Sequence, residues 1–378
     1  MHLAFLTPEY PHPMSLPSGG LGVSIQNLAQ ELVKKGLLIT VFVYGQKDDL
    51  IFREGGINFH FIAARKYPFL GWIRYRKKLE HYLNHIIARE KINALEAPEW
   101  TGITALMSFK CRLILRLHGS DTYFCRLENR PQKKKNFWFE RLALNSADHL
   151  ISVSEFTAIQ TKEIFKLNKD IEVIPNSVNE DVFYPETEGS GEKIILYFGT
   201  IIRKKGVLDL AEIFNKIHQK NPDVLLVMAG RDVIDVLSGS STIGLFENLL
   251  TESARNRVLW KGDLSRFDVI SELDKAAVVV FPSYAEALPM SWLEAMAMKK
   301  ALVTSNIGWS KEIMKNGKTG YMVHPKDHNQ FADRILELLQ DRQLSLKMGE
   351  AARKHVKDNF SACKIVERNI DFYRSLSL

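Results

Sequence analysis

The feature that most limits the folds open to this chain is a rhythm. Short β-branched apolar runs alternate with longer amphipathic stretches along almost all of its 378 residues. That alternation marks βα units, whose strands lie parallel in a sheet covered by helices on both faces. In the first half, the runs that read as strands lie near 2–7, 37–44, 57–63, 93–96, 112–117, 148–153 and 171–174. Between the first two, GVSIQNLAQELVKKG sets Val23, Ile25, Leu28, Ala29, Leu32 and Val33 along one side of a helix that Gly36 ends. The rhythm pauses at VNEDVFYPETEGSGEK (178–193), where Pro, Gly, Ser and acidic residues gather.

It resumes with IILYFG, a helix near 207–219, DVLLVMAG, a helix near 244–254, VLWKG, a helix near 266–275 and AAVVVFPS. A helix opening in EALPMSWLEAM, then ALVTSN and GYMV, complete the series, and the terminal FSACKIVERNIDFYRSLSL reads as a helix with no strand after it. The expected organisation is two doubly wound α/β domains, 1–185 and 186–358, with a terminal helix over 359–378. Two such sheets in series present a cleft at their strand C-termini, where ligands bind.

Composition narrows the class. With 46% hydrophobic and 25% charged residues the chain is globular rather than disordered. Cys111, Cys125 and Cys363 are odd in number and lack Cys-x-x-Cys spacing, which argues against a disulfide framework or structural zinc and for a reducing compartment. MHLAFLTPEY lacks the basic-then-apolar order of a secretion signal, and runs such as LLITVFVY fall short of the roughly 20 residues that span a bilayer. A cytoplasmic location is expected. The net charge of +7 is modest and points to no nucleic-acid partner, but it is uneven: residues 1–185 hold 24 Lys/Arg against 19 Asp/Glu, the remainder 27 against 25. Two basic segments with interleaved aromatics, 65–91 and 130–142, read either as solvated helix faces over core aromatics or as a peripheral contact with anionic membrane.

Four motifs carry chemistry. SGGLGVSIQNLA (18–29) brings Gly20 and Gly22 to the turn between the first strand and first helix, where backbone N–H groups face an anion or simply allow close packing. Its order is not G-x-G-x-x-G and no acid ends the second strand, which disfavours a dinucleotide. YFGTIIRKKGVLDL follows Gly199 with Arg203, Lys204 and Lys205 just before a helix, a place that cations avoid unless a diphosphate or solvent meets them. RLHGSD puts His118 at a strand's C-terminal end, as a structural or ligand-facing imidazole. In EALPMSWLEAM, Pro289 suits the first helical turn. Glu286 and Glu294 bracket that turn, and Glu294 lies among apolar neighbours where an unpaired carboxylate is costly. No Asp-x-Asp pair is present to hold a metal on a diphosphate.

In this order and spacing, SGGLGVSIQNLAQEL, RLHGSD, ISVSEFT, VIPNSVNEDVFYP, FGTIIRKKG, VLWKGDLSRFDVISELDKAAVVVFPS, EALPMSWLEAMAM and NIGWSKEIMKNGKTGYMV resemble the retaining nucleotide-sugar glycosyltransferases of family 4. The pair Glu286 and Glu294 matches that family's E-x(7)-E motif. The resemblance implies a GT-B fold whose last helix returns to the N-terminal domain. It implies an acceptor-binding first domain, a donor-binding second one, and no metal or other cofactor. Glu286 would contact the donor sugar and Glu294 the ribose. The backbone at Leu288, Pro289 and Met290, with Lys205 and the Gly20 turn, would receive the diphosphate. His118 would lie near the anomeric carbon, and Lys261 to Leu264, with Gly262, would border the base. Thr200 stands where relatives often carry Arg, with Arg203 as a substitute. EALP replaces E-G-F-G, PNS replaces P-N-G, and GWS replaces Gly-Gly and leaves Trp309 near the cleft. Other reactions on the same fold, phosphorolysis or nucleotide-sugar epimerisation, and a non-catalytic binding role are the alternatives.

Overall fold

Strands that are apolar throughout, rather than on alternate residues, need cover on both faces, and both sheets of the protein have it. The computed structural model describes residues 1–186 and 192–376. It divides into two units, Met1–Ser177 with Ala362–Leu378, and Val178–Ser361. The first sheet comprises β1 (His2–Thr7), β2 (Leu38–Gln46), β3 (Leu50–Glu54), β4 (Ile57–Ala63), β5 (Ala94–Pro98), β6 (Arg112–Leu117), β7 (His149–Ser152) and β8 (Ile171–Val173). Their order is β3-β4-β2-β1-β5-β6-β7-β8. All pairs are parallel except β3 with β4, a hairpin around Gly55 and Gly56. The sequence reading lacks β3, a mostly exposed edge strand of five residues whose apolar run, Leu50 to Phe52, is only three long.

Helices α1 (Gly20–Lys34), α2 (Gly71–Glu90), α3 (Asp121–Leu127), α4 (Lys134–Ser146) and α5 (Glu155–Phe165) cover this sheet. Successive strand residues feed opposite cores: Leu6 and Phe42 pack with Leu83 and Phe139, whereas Phe5 and Val41 pack with Ile25 and Leu32. The C-terminal helix Ala362–Ser375 joins the second of these cores through Ile365, Val366, Ile370 and Tyr373. Polar groups pin it as well. Buried Arg116 grips Glu96 through two nitrogens, at 2.6 and 3.0 Å, and donates to Asn369 at 2.6 Å, while the Tyr373 hydroxyl donates to Glu96 at 2.7 Å.

The second sheet comprises β9 (Ile194–Phe198), β10 (Leu225–Ala229), β11 (Val258–Trp260), β12 (Val278–Phe281), β13 (Ala301–Ser305) and β14 (Tyr321–Val323), parallel throughout in the order β11-β10-β9-β12-β13-β14. Around it run α6 (Val207–Lys220), α7 (Thr242–Leu249), α8 (Glu252–Arg255), α9 (Arg266–Lys275), α10 (Met290–Ala297), α11 (Ser310–Ile313), α12 (His328–Gln340) and α13 (Arg342–Asn359). The single helix expected over 244–254 is two, because Leu250 is extended and the Thr251 hydroxyl caps α8.

The units divide after Ser177 and Ser361 rather than after 185 and 358. Val178 donates to the Phe360 carbonyl at 3.0 Å and Arg353 donates to the Phe183 carbonyl at 2.9 Å, so residues 178–183 are tied to the end of α13. Residues 187–191 of the expected linker and 377–378 of the expected terminal helix lie outside the described residues. Among the described residues no helix is long and apolar enough to cross a membrane.

Candidate functional site

The second unit gathers most of the expected residues at the C-terminal ends of its strands. Two loops meet there, one after β9 and one after β12. Gly206 makes the approach possible: its φ is +71°, and a Cβ at this position would fall 1.9 Å from the Pro282 carbonyl oxygen. Lys205 and Glu286 are thereby paired, Nζ to Oε1 at 3.2 Å, with side chains only 20% and 11% exposed. The Ser283 hydroxyl donates to the same Glu286 oxygen at 3.2 Å. Gly199 lies beside them, since a Cβ on it would be 3.5 Å from the Lys205 ammonium.

Pro289 is the N-cap of α10, one position earlier than the sequence reading puts it, and offers no side-chain acceptor. Leu288, Pro289 and Met290 are buried. A buried helix N-terminus without a side-chain cap presents first-turn amides and the positive end of the dipole to whatever sits before it, which favours an anion. Glu294, one turn further in, is half-buried, and its carboxylate makes no hydrogen bond among the described residues. Burial pushes it up to about 7, against the opposing pull of Arg266 and Lys205.

Gly262 follows β11, and Leu264 lies between it and Ser265, the cap of α9. The Gly230 amide donates to the Gly262 carbonyl at 2.7 Å and the Gly199 amide to Ala229 at 2.9 Å, so these strand ends are laced together. Lys261 is held by Glu272 at 2.7 Å. Arg203 stands apart from this group: its guanidinium is spent on Asp235 through two bonds, at 2.7 and 2.8 Å. Arg203 holds the Asp235 carboxyl well below its ordinary range. Trp309, expected near a cleft, is wholly buried just ahead of α11.

The first unit holds Gly20, Gly22 and His118. A Cβ at Gly22 would meet the Ser18 hydroxyl at 2.0 Å and the Glu9 carbonyl oxygen at 3.0 Å, so a side chain there displaces Ser18 and crowds the Glu9 backbone. One Glu9 carboxylate oxygen accepts from the amides of Gly19 at 3.0 Å and Gly22 at 2.9 Å, so this helix start already carries an anion of the chain's own. An external anion reaches the Gly20 turn only beside or instead of Glu9. His118 follows β6 directly, with its amide donating to Glu99 at 3.0 Å. Burial, with Arg116 adding to it, pushes its imidazole down to about 3. Sequence reasoning missed Glu9, Asp235, Arg266 and Glu99, whose partners lie too far along the chain for any spacing to mark them.

Two family patterns match: Glycosyltransferase Family 4 over residues 18–182 and Glycosyl transferases group 1 over 179–355. N-acetyl-alpha-D-glucosaminyl L-malate synthase of Bacillus anthracis is 26% identical, over 94% of this chain and 93% of its own. Sucrose-phosphate synthase from Thermosynechococcus elongatus superposes with a TM-score of 0.83 at 20% identity, over 99% of this chain and 98% of its own. Anabaena HepE, solved in complex with UDP-glucose, has a TM-score of 0.74 at 17% identity with both chains fully covered. Two doubly wound units in series with the last helix returned to the first, matched by these patterns from residue 18 to 355, place the protein in its family: it is a GT-B glycosyltransferase of family 4.

Proposed function

We propose that the protein transfers a hexosyl unit from a nucleotide-diphosphate sugar to a saccharide or lipid-linked saccharide, with retention at the anomeric carbon and without a metal. The observation that carries this reading is the buried start of α10, without a side-chain cap, set between the Lys205–Glu286 pair and the carboxylate of Glu294, which makes no hydrogen bond among the described residues. The diphosphate sits before the helix, where amides and Lys205 balance the charge that develops as it leaves. Glu294 takes two ribose hydroxyls, Glu286 takes sugar hydroxyls, and Gly262 and Leu264 border the base. The bond from the anomeric carbon to the diphosphate oxygen breaks, the acceptor oxygen bonds to that carbon on the same face, and the acceptor's proton leaves with the diphosphate. His118, neutral through burial, serves the sugar as a hydrogen-bonding imidazole rather than as a cation. The complex of HepE with UDP-glucose supports a uridine donor, and the α-glucosaminyl unit in the name of the Bacillus relative supports an α-linked product.

An anionic membrane surface is the proposed peripheral partner. Trp72 and Tyr75 turn inward, toward Phe139 and the Gly45 amide. Phe69 and Trp138, however, are 70% and 50% exposed beside Lys66 and Lys133 to Lys135. Lys135 over the Trp72 ring brings the starts of α2 and α4 together, so the exposed rings and the cations share one rim. Stronger sedimentation with anionic than with neutral vesicles is expected, and equal partitioning would remove the electrostatic argument.

The test of the reaction is turnover of a panel of nucleotide sugars, with and without saccharide acceptors. Acceptor-dependent release of nucleotide diphosphate is expected. Phosphate-dependent turnover, or conversion of the donor sugar to its epimer without acceptor, would replace this reading by phosphorolysis or epimerisation.

A further inference from the structure

Strands β5 and β6 are neighbours in register, Pro98 opposite Arg116, so the residues that leave them run side by side. One of those is Glu99, wholly buried. One of its oxygens accepts the His118 amide at 3.0 Å, and the other has no hydrogen-bond partner among the described residues. A second buried acid under the same loops, Glu140 of α4, is saturated: it accepts from the amides of Thr101, Asp121 and Thr122 and from the Thr122 hydroxyl. Two acids in one place, one fully bonded and one half bonded, need different states. An ionised carboxylate with a bare oxygen in the core is costly, whereas the neutral acid forgoes a hydrogen bond there but not the solvation of a charge.

We infer that Glu99 is a positioning residue for His118 and that it works in its neutral, proton-bearing form. This rests on the role proposed above for His118. The imidazole makes no hydrogen bond among the described residues, so its place is set through its main chain, and Glu99 holds that main chain. The groups facing Glu99 agree with a neutral acid. Burial pushes it up to about 8, the charge of Glu140 adds to this, and the amides of His118 and Gly119 pull the other way. His118 itself is neutral, and Arg116 beyond it is engaged by Glu96. Above that pH the ionised carboxylate keeps one bare oxygen in the core beneath the His118–Gly119 turn, and the turn yields to admit water.

The experiment follows kcat and KM from pH 6 to 10 for the full chain and for Glu99→Gln, Glu99→Ala and His118→Ala, using the nucleotide sugar it turns over. Nucleotide binding is measured on each. Wild-type kcat is expected to fall as pH rises through about 8. Glu99→Gln, which keeps a carbonyl for the His118 amide, is expected to stay within about 3-fold at pH 7 and to lose that alkaline fall. Glu99→Ala is expected to lose about 100-fold in kcat, the scale of a small misplacement, with nucleotide affinity retained. A Gln variant as damaged as the Ala variant, or one with the same fall near pH 8, overturns the inference. If His118→Ala turns over like wild type, the role of His118 fails. If it is impaired while Glu99→Ala is not, the inference about Glu99 alone fails. The NMR shift of the wild-type His118 amide gives a reading free of any variant: it should titrate near pH 8, and a flat response contradicts the inference.

Discussion

Glu294 offers the sharpest prediction, because one carboxyl links donor affinity, pH and stability. Its surroundings raise it from an ordinary 4.5 to about 7, chiefly through burial. To accept two ribose hydroxyls it must be ionised, so donor binding draws it from a partly protonated population. With a free-enzyme value near 7, the apparent Kd scales as one plus the ratio of protonated to ionised form. That ratio makes binding at pH 6 about tenfold weaker than at pH 8, roughly 1.4 kcal/mol. UDP-glucose is the suitable probe by isothermal titration calorimetry, since its diphosphate is a diester and does not itself titrate in this window. Glu294→Gln should abolish the pH dependence and weaken binding at pH 8 by about 1.5–3 kcal/mol, the scale of hydrogen bonds to a charged group. Stability should move the other way. A carboxyl whose folded value lies above its unfolded one contributes its stabilisation in full below pH 4.5 and loses it as pH rises through about 7. Above pH 7 the Gln variant should therefore unfold later, by roughly 2–3 kcal/mol at most for a half-buried group. Donor affinity that is flat from pH 6 to 8 in the wild type, or a folded Gln variant with wild-type affinity, would refute the assignment of Glu294 to the ribose.

Two further predictions concern the frame. Arg116→Met leaves Glu96 charged and unpaired in the core beneath the C-terminal helix, and urea unfolding should show a loss of about 3–5 kcal/mol; a loss under 1 kcal/mol would mean that the helix is held by its apolar face alone. Asp235→Asn breaks a pair in which the carboxylate is buried but the guanidinium is 40% exposed, so the expected loss is only about 1 kcal/mol. The folded value of Asp235 is depressed, so its contribution is present above the unfolded carboxyl range and vanishes as pH falls. Wild type and variant should converge in thermal stability under acid and differ at pH 7.

Much of the fold was legible because it is written in local patterns. Eight-residue spacing placed Glu286 and Glu294 about one turn, and Lys205 stood in the loop that the strand–helix rhythm marked. Features set by distant partners were not legible. Arg203 looked like a ligand residue until the structure paired it with Asp235, 32 positions on. The glycine turn at 18–22 looked open to a phosphate, yet Glu9 already lies against its amides. Glu99 and His118 are 19 residues apart and meet only because β5 and β6 are adjacent. The edge strand β3 is too short to announce itself, with an apolar run of only Leu50 to Phe52 that stays largely exposed, and Trp309, read as a cleft residue from the motif it interrupts, went into the core.

The claim at the centre is that one site in this chain moves a sugar with its anomeric configuration kept, and the product's anomeric proton in an NMR time course reports on it most directly. From an α-configured nucleotide sugar, the first product to accumulate should be an α-linked glycoside of the acceptor. A β-linked first product would contradict retention, and a sugar phosphate or epimerised nucleotide sugar in its place would contradict glycosyl transfer itself.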